Sequence, residues 1–459
     1  MKLKLTPVLS ASALVLAAAN CVYAQYTPPA PMQPFPGFIN DFLRKQDPYY
    51  AVWDIGGSVR VRYEGKEGAL GLPGNNDFRS TTGTGTRNNN DYFSSKVLAN
   101  IGYTDKWWSA FVQARSSETW SDSRSATGAG TVPGLGGRGG PEQDGLVDLH
   151  QAYVTVGNHK EFPVSAKIGR QELSYGDERL VGAFAWNNIG RVFDAAKVRW
   201  QHEWFAAEAF TSKLVLPNDN NPNVWNDYSV FSGLYVTTKQ LPKNITELYF
   251  FARNENGQDA NTGPGTADTG AVLPFQTPAP YERNIYTVGG RIKSNPGDFG
   301  AFDYTVEGAY QFGDWRQTFT SAKLDQDAYA FVANAGYTFG ESAMQPRFAL
   351  EYAFGSGDDS PTDGKHGTFD QLYPTGHKHW GYMDIASWQN IHDARAIFTI
   401  KPHPRVSVAL EGHLFWLADT GDNFYNKGGV ARTGGTVGTG TASPPIRTTT
   451  ASWAAKSIS

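Results

Sequence analysis

The sequence predicts an all-β protein: a transmembrane antiparallel β-barrel of about 16–18 strands with long extracellular loops. Three observations carry this. From Asp54 to Trp416, runs of roughly ten residues alternate apolar with polar and are rich in aromatics. The turns between them are rich in Gly, Asn and Asp, and alternate short with long. A secretory leader precedes the runs, and no apolar stretch long enough for a membrane helix follows it.

The leader is read from its three parts. Lys2 and Lys4 give a positive start, Val8 to Ala19 an apolar core, and Val22-Tyr23-Ala24 a small-x-small cleavage site. Residues 1–24 are therefore expected to be a signal peptide, with the mature chain starting at Gln25. Cys21 is the only cysteine and lies inside the leader, so the mature chain has no disulfide framework. Residues 25–52 read as a Pro-rich periplasmic lead, extended through Asn40. The barrel is expected over 53–420. Residues 421–459 lack alternation, contain Pro444-Pro445 and end on Ser459, so they read as an irregular tail. The expectation is a frameshift or truncation after about Ala442, because barrel strands close pairwise.

Composition narrows the function classes. The net charge is −4, and Lys2 and Lys4 would leave with the leader, so nucleic acid is not an expected partner. Aromatics at 14% and 50 glycines suit strands, interface girdles and tight turns. The mean hydropathy of −0.44 argues against a helical membrane protein. It does not argue against a barrel, in which half of each strand faces a polar lumen.

Strands are expected near 53–63, 92–104, 107–119, 147–157, 163–172, 193–201, 204–213, 226–239, 244–254, 283–294, 301–313, 326–339, 345–355, 381–389, 391–401 and 405–417. A period of two fixes the facing of each. Phe302, Tyr304, Val306, Tyr310 and Phe312 share one face and oppose Asp303, Thr305, Glu307 and Gln311. Phe348, Leu350, Tyr352 and Phe354 oppose Arg347 and Glu351. Ala394, Ala396 and Phe398 oppose Asp393 and Arg395, and Leu410, Leu414 and Trp416 oppose Glu411 and His413. A charge facing lipid near the midplane costs about 2–4 kcal/mol, so the charged faces are assigned to the lumen.

That lumen is rich in bases. Arg60 and Arg62 share a face on the first strand. Lys96, Arg115, Arg170, Lys197, Arg199, Arg291, Lys293, Arg347, Arg395 and Arg405 are further candidates. Glu172, Glu247, Asp303, Glu307, Glu351 and Glu411 stand among them. Two readings stay open. The charges form a ladder of ion pairs that braces the wall, or an excess of arginine attracts anions along the path.

Two long stretches carry a family resemblance: KIGRQELSYGDERLVGAFAWNNIGRVFDAAKVRW from Lys167 to Trp200, and GTFDQLYPTGHKHWGYMDIASWQNIHDARAIF from Gly367 to Phe398. Both closely resemble the alginate export family of outer-membrane barrels, as does the opening DIGGSVRVRYE. The resemblance implies a monomeric barrel of about eighteen strands in the outer membrane, with an electropositive constriction. In the founding member that channel passes the acidic polysaccharide alginate, so family membership fixes the fold better than the cargo. The expected partners are outer-membrane lipid, an acidic polysaccharide or anionic solute, and periplasmic export components.

Carried over by motif, the first block supplies Arg170, Glu172, Asp177, Arg179, Arg191 and Asp194. A long ordered loop bearing Arg179 and Arg191 is expected to fold into the lumen. Guanidinium forks there either bind uronate carboxylates or pin the loop to Glu172, Asp177 and Asp194. In the second block Phe369-Asp370 and Tyr373-Pro374-Thr375 read as a turn before a strand, with Asp384 and Arg395 on the strand pair that follows.

Enzyme chemistry is not expected. No G-x-S-x-G elbow, H-E-x-x-H helix or Walker loop occurs. His377 and His379 read as surface residues rather than metal ligands, and Asp358, Asp359 and Asp363 lack the EF-hand spacing. No metal or cofactor is expected. The sequence leaves three functions: a pore passing acidic polysaccharide or small anions through an arginine-lined constriction, a general diffusion porin with structural lumen charges, or a secreted carbohydrate-binding β-protein.

Overall fold

The computed structural model describes residues 37–66, 90–122, 142–217 except 159, 222–255 except 228, 282–316, 321–429 except 361 and 404–405, and 448–457. The expected leader, residues 25–36 of the lead, Arg405 and most of the longest loops lie outside these.

Helix α1 (Phe38–Gln46) and a 3-10 turn (Pro48–Val52) come first. The strands follow as β1 (Trp53–Lys66), β2 (Asn90–Thr104), β3 (Trp108–Trp120), β4 (Asp144–Val156), β5 (Val164–Gln171), β6 (Phe193–Gln201), β7 (Phe205–Leu216), β8 (Val224–Trp225) and β9 (Ser229–Thr238). Then come β10 (Asn244–Glu255), β11 (Glu282–Ser294), β12 (Phe302–Arg316), β13 (Leu324–Thr338), β14 (Arg347–Gly355), β15 (Lys365–His366), β16 (Ile391–His403), β17 (Val406–Trp416) and β18 (Thr448–Ser457). All belong to one sheet system, and the long strands pair antiparallel with their sequence neighbours in an up-and-down meander. The meander runs on from β9 through β18.

The sheet curves into a barrel because one loop touches widely separated strands. Residues 172–192, between β5 and β6, accept hydrogen bonds from Arg60 on β1, meet Arg291 on β11 and reach Glu351 on β14. Only a sheet wrapped around the loop brings those three strands to it. The period-two facing holds. Val59, Leu248, Val306, Leu350 and Leu414 are exposed on the outer face, whereas Glu247, Glu307, Glu351 and Glu411 are buried on the inner one. Opposite charges also face each other across the ladder, as in Glu247↔Arg291, Arg291↔Glu307 and Glu351↔Arg395.

Three expectations need correction. The run 381–389 is not a strand. Ile385, Ala386, Ser387 and Trp388 are buried consecutively instead of alternately, Asp384 has φ 57°, and the segment folds into the lumen. The lead is not extended up to Asn40, because α1 begins at Phe38. The tail is not irregular throughout: β18 continues the sheet beside β17, from Phe415↔Thr448 to Val406↔Ser457.

The outer face generates a test. Leu350→Arg puts a charge into hydrocarbon and is expected to lower stability by about 2–4 kcal/mol. Leu350→Met is expected to be silent. Equilibrium urea unfolding in lipid vesicles measures both.

Candidate functional site: an interlocked pair of lumen loops

The two motif stretches meet inside the barrel. Loop 172–192 and loop 356–390, the latter between β14 and β16, join backbone to backbone. Gly182 N donates to Tyr373 O, Tyr373 N to Leu180 O, and Thr375 N to Glu178 O, at 2.8–2.9 Å. Val181 and Tyr373 form a parallel bridge. The Thr375 hydroxyl donates to Glu178 (2.6 Å) and accepts from Phe184 N (3.1 Å). Gly182 permits this approach, since a Cβ there would overlap the Thr375 hydroxyl. Glu178, Phe184 and Leu372 adopt left-handed φ of 65°, 54° and 56°. Such backbone costs roughly 1–2 kcal/mol per residue and persists only where the surroundings over-determine it.

An apolar core under the loops supplies that support. Tyr175 stacks on Tyr235 (4.7 Å) and Phe210 (5.5 Å), and Phe231 packs on Tyr373 (4.9 Å). Trp380 lies against Trp388 (5.7 Å), whose indole N–H donates to Phe354 O (2.9 Å). All but the half-buried Phe354 belong to one buried cluster. The aromatics Tyr235, Tyr249 and Phe251 turn inward. They do so because the loops bring an apolar partner to the lumen side of those strands.

Charges bind the loops to the wall, and most of the predicted site residues take part. On the β1–β6 side, Arg60 donates to the carbonyls of Ala185, Trp186 and Asn187 (3.0–3.3 Å). Arg62 donates to Trp186 O (2.6 Å) and pairs with Glu142 (2.9 Å) and Glu64 (2.6 Å). Arg115 pairs with Asp144 and donates to Ile189 O (2.9 Å). Glu172 meets His150 at 3.2 Å, and Arg170 forks onto Asp194 at 2.8 and 2.9 Å. Opposite them, Asp177 meets Arg291 (2.7 Å) and Lys293 (3.3 Å). Arg179 pairs with Glu351 (2.7 Å), which Arg395 shares (3.3 Å) while it also holds Glu411 (2.6 Å).

Arg191 donates to the carbonyls of Gly182 and Pro374 at 3.1 and 3.0 Å, tying the two loops together. Lys197, Arg199 and Arg347 stand apart toward the short-turn end, on Glu208 (3.0 and 3.7 Å) and Asp303 (2.6 Å). They do not touch the loops. Arg179 and Arg191 are thus pins of the loop pair.

The structure adds residues that the sequence reading missed. Asp370 accepts from Arg253 (2.9 Å) and Arg283 (2.6 Å), and both arginines also hold Glu255 at 2.8 Å. Burial alone raises the Asp370 carboxyl, but the two guanidiniums outweigh it and hold it at about 2. Asn188 is buried, and its amide donates to the carbonyls of Ser95, Glu118 and Glu142 at 2.9–3.2 Å. Asp384 is not on a strand. It accepts from Lys427 (2.7 Å) and faces His377 (3.0 Å). His377 and His379 are buried, not surface residues, the latter 2.8 Å from Asp177 O. Asp358, Asp359 and Asp363 help line a cavity of about 400 Å3 at the loop end of the wall. Among the described residues no group of three or more His, Cys, Asp or Glu converges as a metal site.

A barrel with an apolar outer face, a charged inner face and inward-folded loops defines an outer-membrane pore protein. The chain belongs to the alginate export family: the family model, alginate export, matches residues 53–445. No curated protein matches it by sequence. Among solved structures it is similar to OpdK of Pseudomonas aeruginosa with vanillate, at 10% identity and TM-score 0.41, covering 78% of this chain and 92% of that one. The outer-membrane channel DcaP of Acinetobacter baumannii gives 10% and 0.40, covering 83% and 94%. OprB of Pseudomonas putida gives 10% and 0.42, covering 81% and 90%. Likenesses this weak carry no information on cargo.

The buried and rim pairs are expected to differ in weight. Arg179→Ala leaves Glu307 and Glu351 short of a partner and is expected to cost about 3–5 kcal/mol. Arg347→Ala breaks a half-exposed pair and is expected to cost at most about 1 kcal/mol. Urea unfolding of both variants in vesicles checks the contrast.

Proposed function

We propose that the chain is a monomeric passive pore, exported by a cleaved leader, that carries acidic polysaccharide or small anionic solutes. Selection is by charge and width, and no covalent step occurs. One observation carries this reading. Arg60, Arg62, Lys96 and Arg115 converge around loop residues 185–189, and Lys96 stands within the field of the other three. Arg62 is matched by Glu142 and Glu64, and Arg115 by Asp144. Among the described residues Arg60 and Lys96 make no ion pair and donate to backbone carbonyls. Four bases against the paired carboxylates Glu64, Glu142 and Asp144 leave a surplus of one positive charge on the β1–β2 wall of the constriction. In a narrow path with low-dielectric walls such a surplus raises the local anion concentration.

The general diffusion porin is a second reading, favoured by how many lumen arginines already sit in ion pairs. The secreted carbohydrate-binding alternative has no use for the broad apolar outer face.

Reversal potentials in a salt gradient across a planar bilayer separate the two pore readings. Anion selectivity that falls in Arg60→Gln and Lys96→Gln, with block of the current by oligouronates, is the expected result. Unselective current that neither variant changes overturns the anion path and leaves the braced porin.

A further inference from the structure

Helix α1 is turned inside out. Its one buried residue is polar: Asn40 is 4% exposed, while Ile39 is 51% and Phe42 61% exposed. The Asn40 amide explains the docking. It donates to Asp54 (2.8 Å) and accepts from Ile55 N (2.8 Å), bonding the helix to the first residues of β1. Arg44 adds a hydrogen bond to Trp53 O at 3.1 Å. At 100° per residue, Phe38, Phe42, Ile39 and Leu43 fall on one arc, and Asn40, Asp41, Arg44 and Lys45 on the other. A helix docked on a water-soluble domain buries its apolar arc. This one spends its polar arc on the barrel and points Ile39 and Phe42 away from it.

The surroundings name what covers that face. α1 sits at the short-turn end of the barrel, where Trp53, Tyr103 and Trp108 pack at 5.0 and 5.1 Å. The short turns at this end expose Trp107, Phe162, Trp204, Phe299 and Phe339. Such a ring is the aromatic girdle of a barrel at the membrane–water boundary. The apolar arc of α1 continues that girdle beside β1, and an amphipathic helix at this level lies in the headgroup–acyl boundary.

We infer that α1 is a lipid anchor, with Ile39 and Phe42 immersed in the periplasmic leaflet of the outer membrane. It fixes the start of β1 against the bilayer.

The test uses the chain from Gln25, which has no cysteine, inserted in vesicles of phosphatidylethanolamine and phosphatidylglycerol. Single variants Phe42→Cys, Ile39→Cys and Lys45→Cys carry an environment-sensitive fluorophore. Leu350→Cys on the outer face reports that the barrel has inserted. At positions 39 and 42 the expected result is a blue shift, quenching by lipids spin-labelled high on the acyl chain, and loss of quenching by aqueous iodide. Position 45 is expected to stay open to iodide. Iodide quenching at 39 and 42 equal to that at 45 overturns the anchor. So does shielding from iodide without quenching by spin-labelled lipid, because protein then covers the face.

Discussion

Charge facing hydrocarbon costs a few kcal/mol at each position near the midplane, and that constraint orders the rest of this molecule. It drives every charged strand face inward. Once inside, the charges need partners, because an unpaired charge away from water costs more than the pair gains. Strand neighbours supply some, as in Glu351 with Arg395. The rest come from two loops that fold back into the lumen. Asp177 answers Arg291, Arg179 answers Glu351, and Asp370 answers Arg253 and Arg283.

The loops then depend on each other. Loop 172–192 makes backbone hydrogen bonds of its own, as from Tyr175 N to Val181 O and from Arg191 N to Ala183 O, but Leu180 O, Gly182 N and Glu178 O find their partners on residues 373 and 375 of the other loop. Inward aromatics from β7, β9 and β10 complete the core beneath them. The loop pair is thus built from sequence segments about 200 residues apart, an arrangement no local signal announces. It also explains why two long stretches carried the family likeness: they are the two halves of one element.

Much of this was legible before the structure. Alternation placed the lipid and lumen faces of β12, β14, β16 and β17, because the side-chain period of a strand is two. The inward loop bearing Arg179 and Arg191 was legible from the motif. Three features were not. Residues 381–389 read as a strand, but Asp384 to Trp388 are buried consecutively in the loop core, so burial and not pleat sets their pattern. β18 has weak alternation and is placed by pairing with β17. Arg253 and Arg283 sit at strand ends beside Glu255, and the return of Asp370 into the lumen is what joins them to the loop pair. Whether a lumen arginine is a pin or a surplus charge depends on carboxylates far along the chain, which spacing cannot reveal.

Hydrogen exchange on the vesicle-inserted protein tests the central claim most directly. The amides of Tyr175, Gly182, Tyr373 and Thr375 are bonded within or between the two loops. The account predicts that they exchange as slowly as amides of the neighbouring strands. Exchange on the timescale of open surface loops, with the strands still protected, would contradict it.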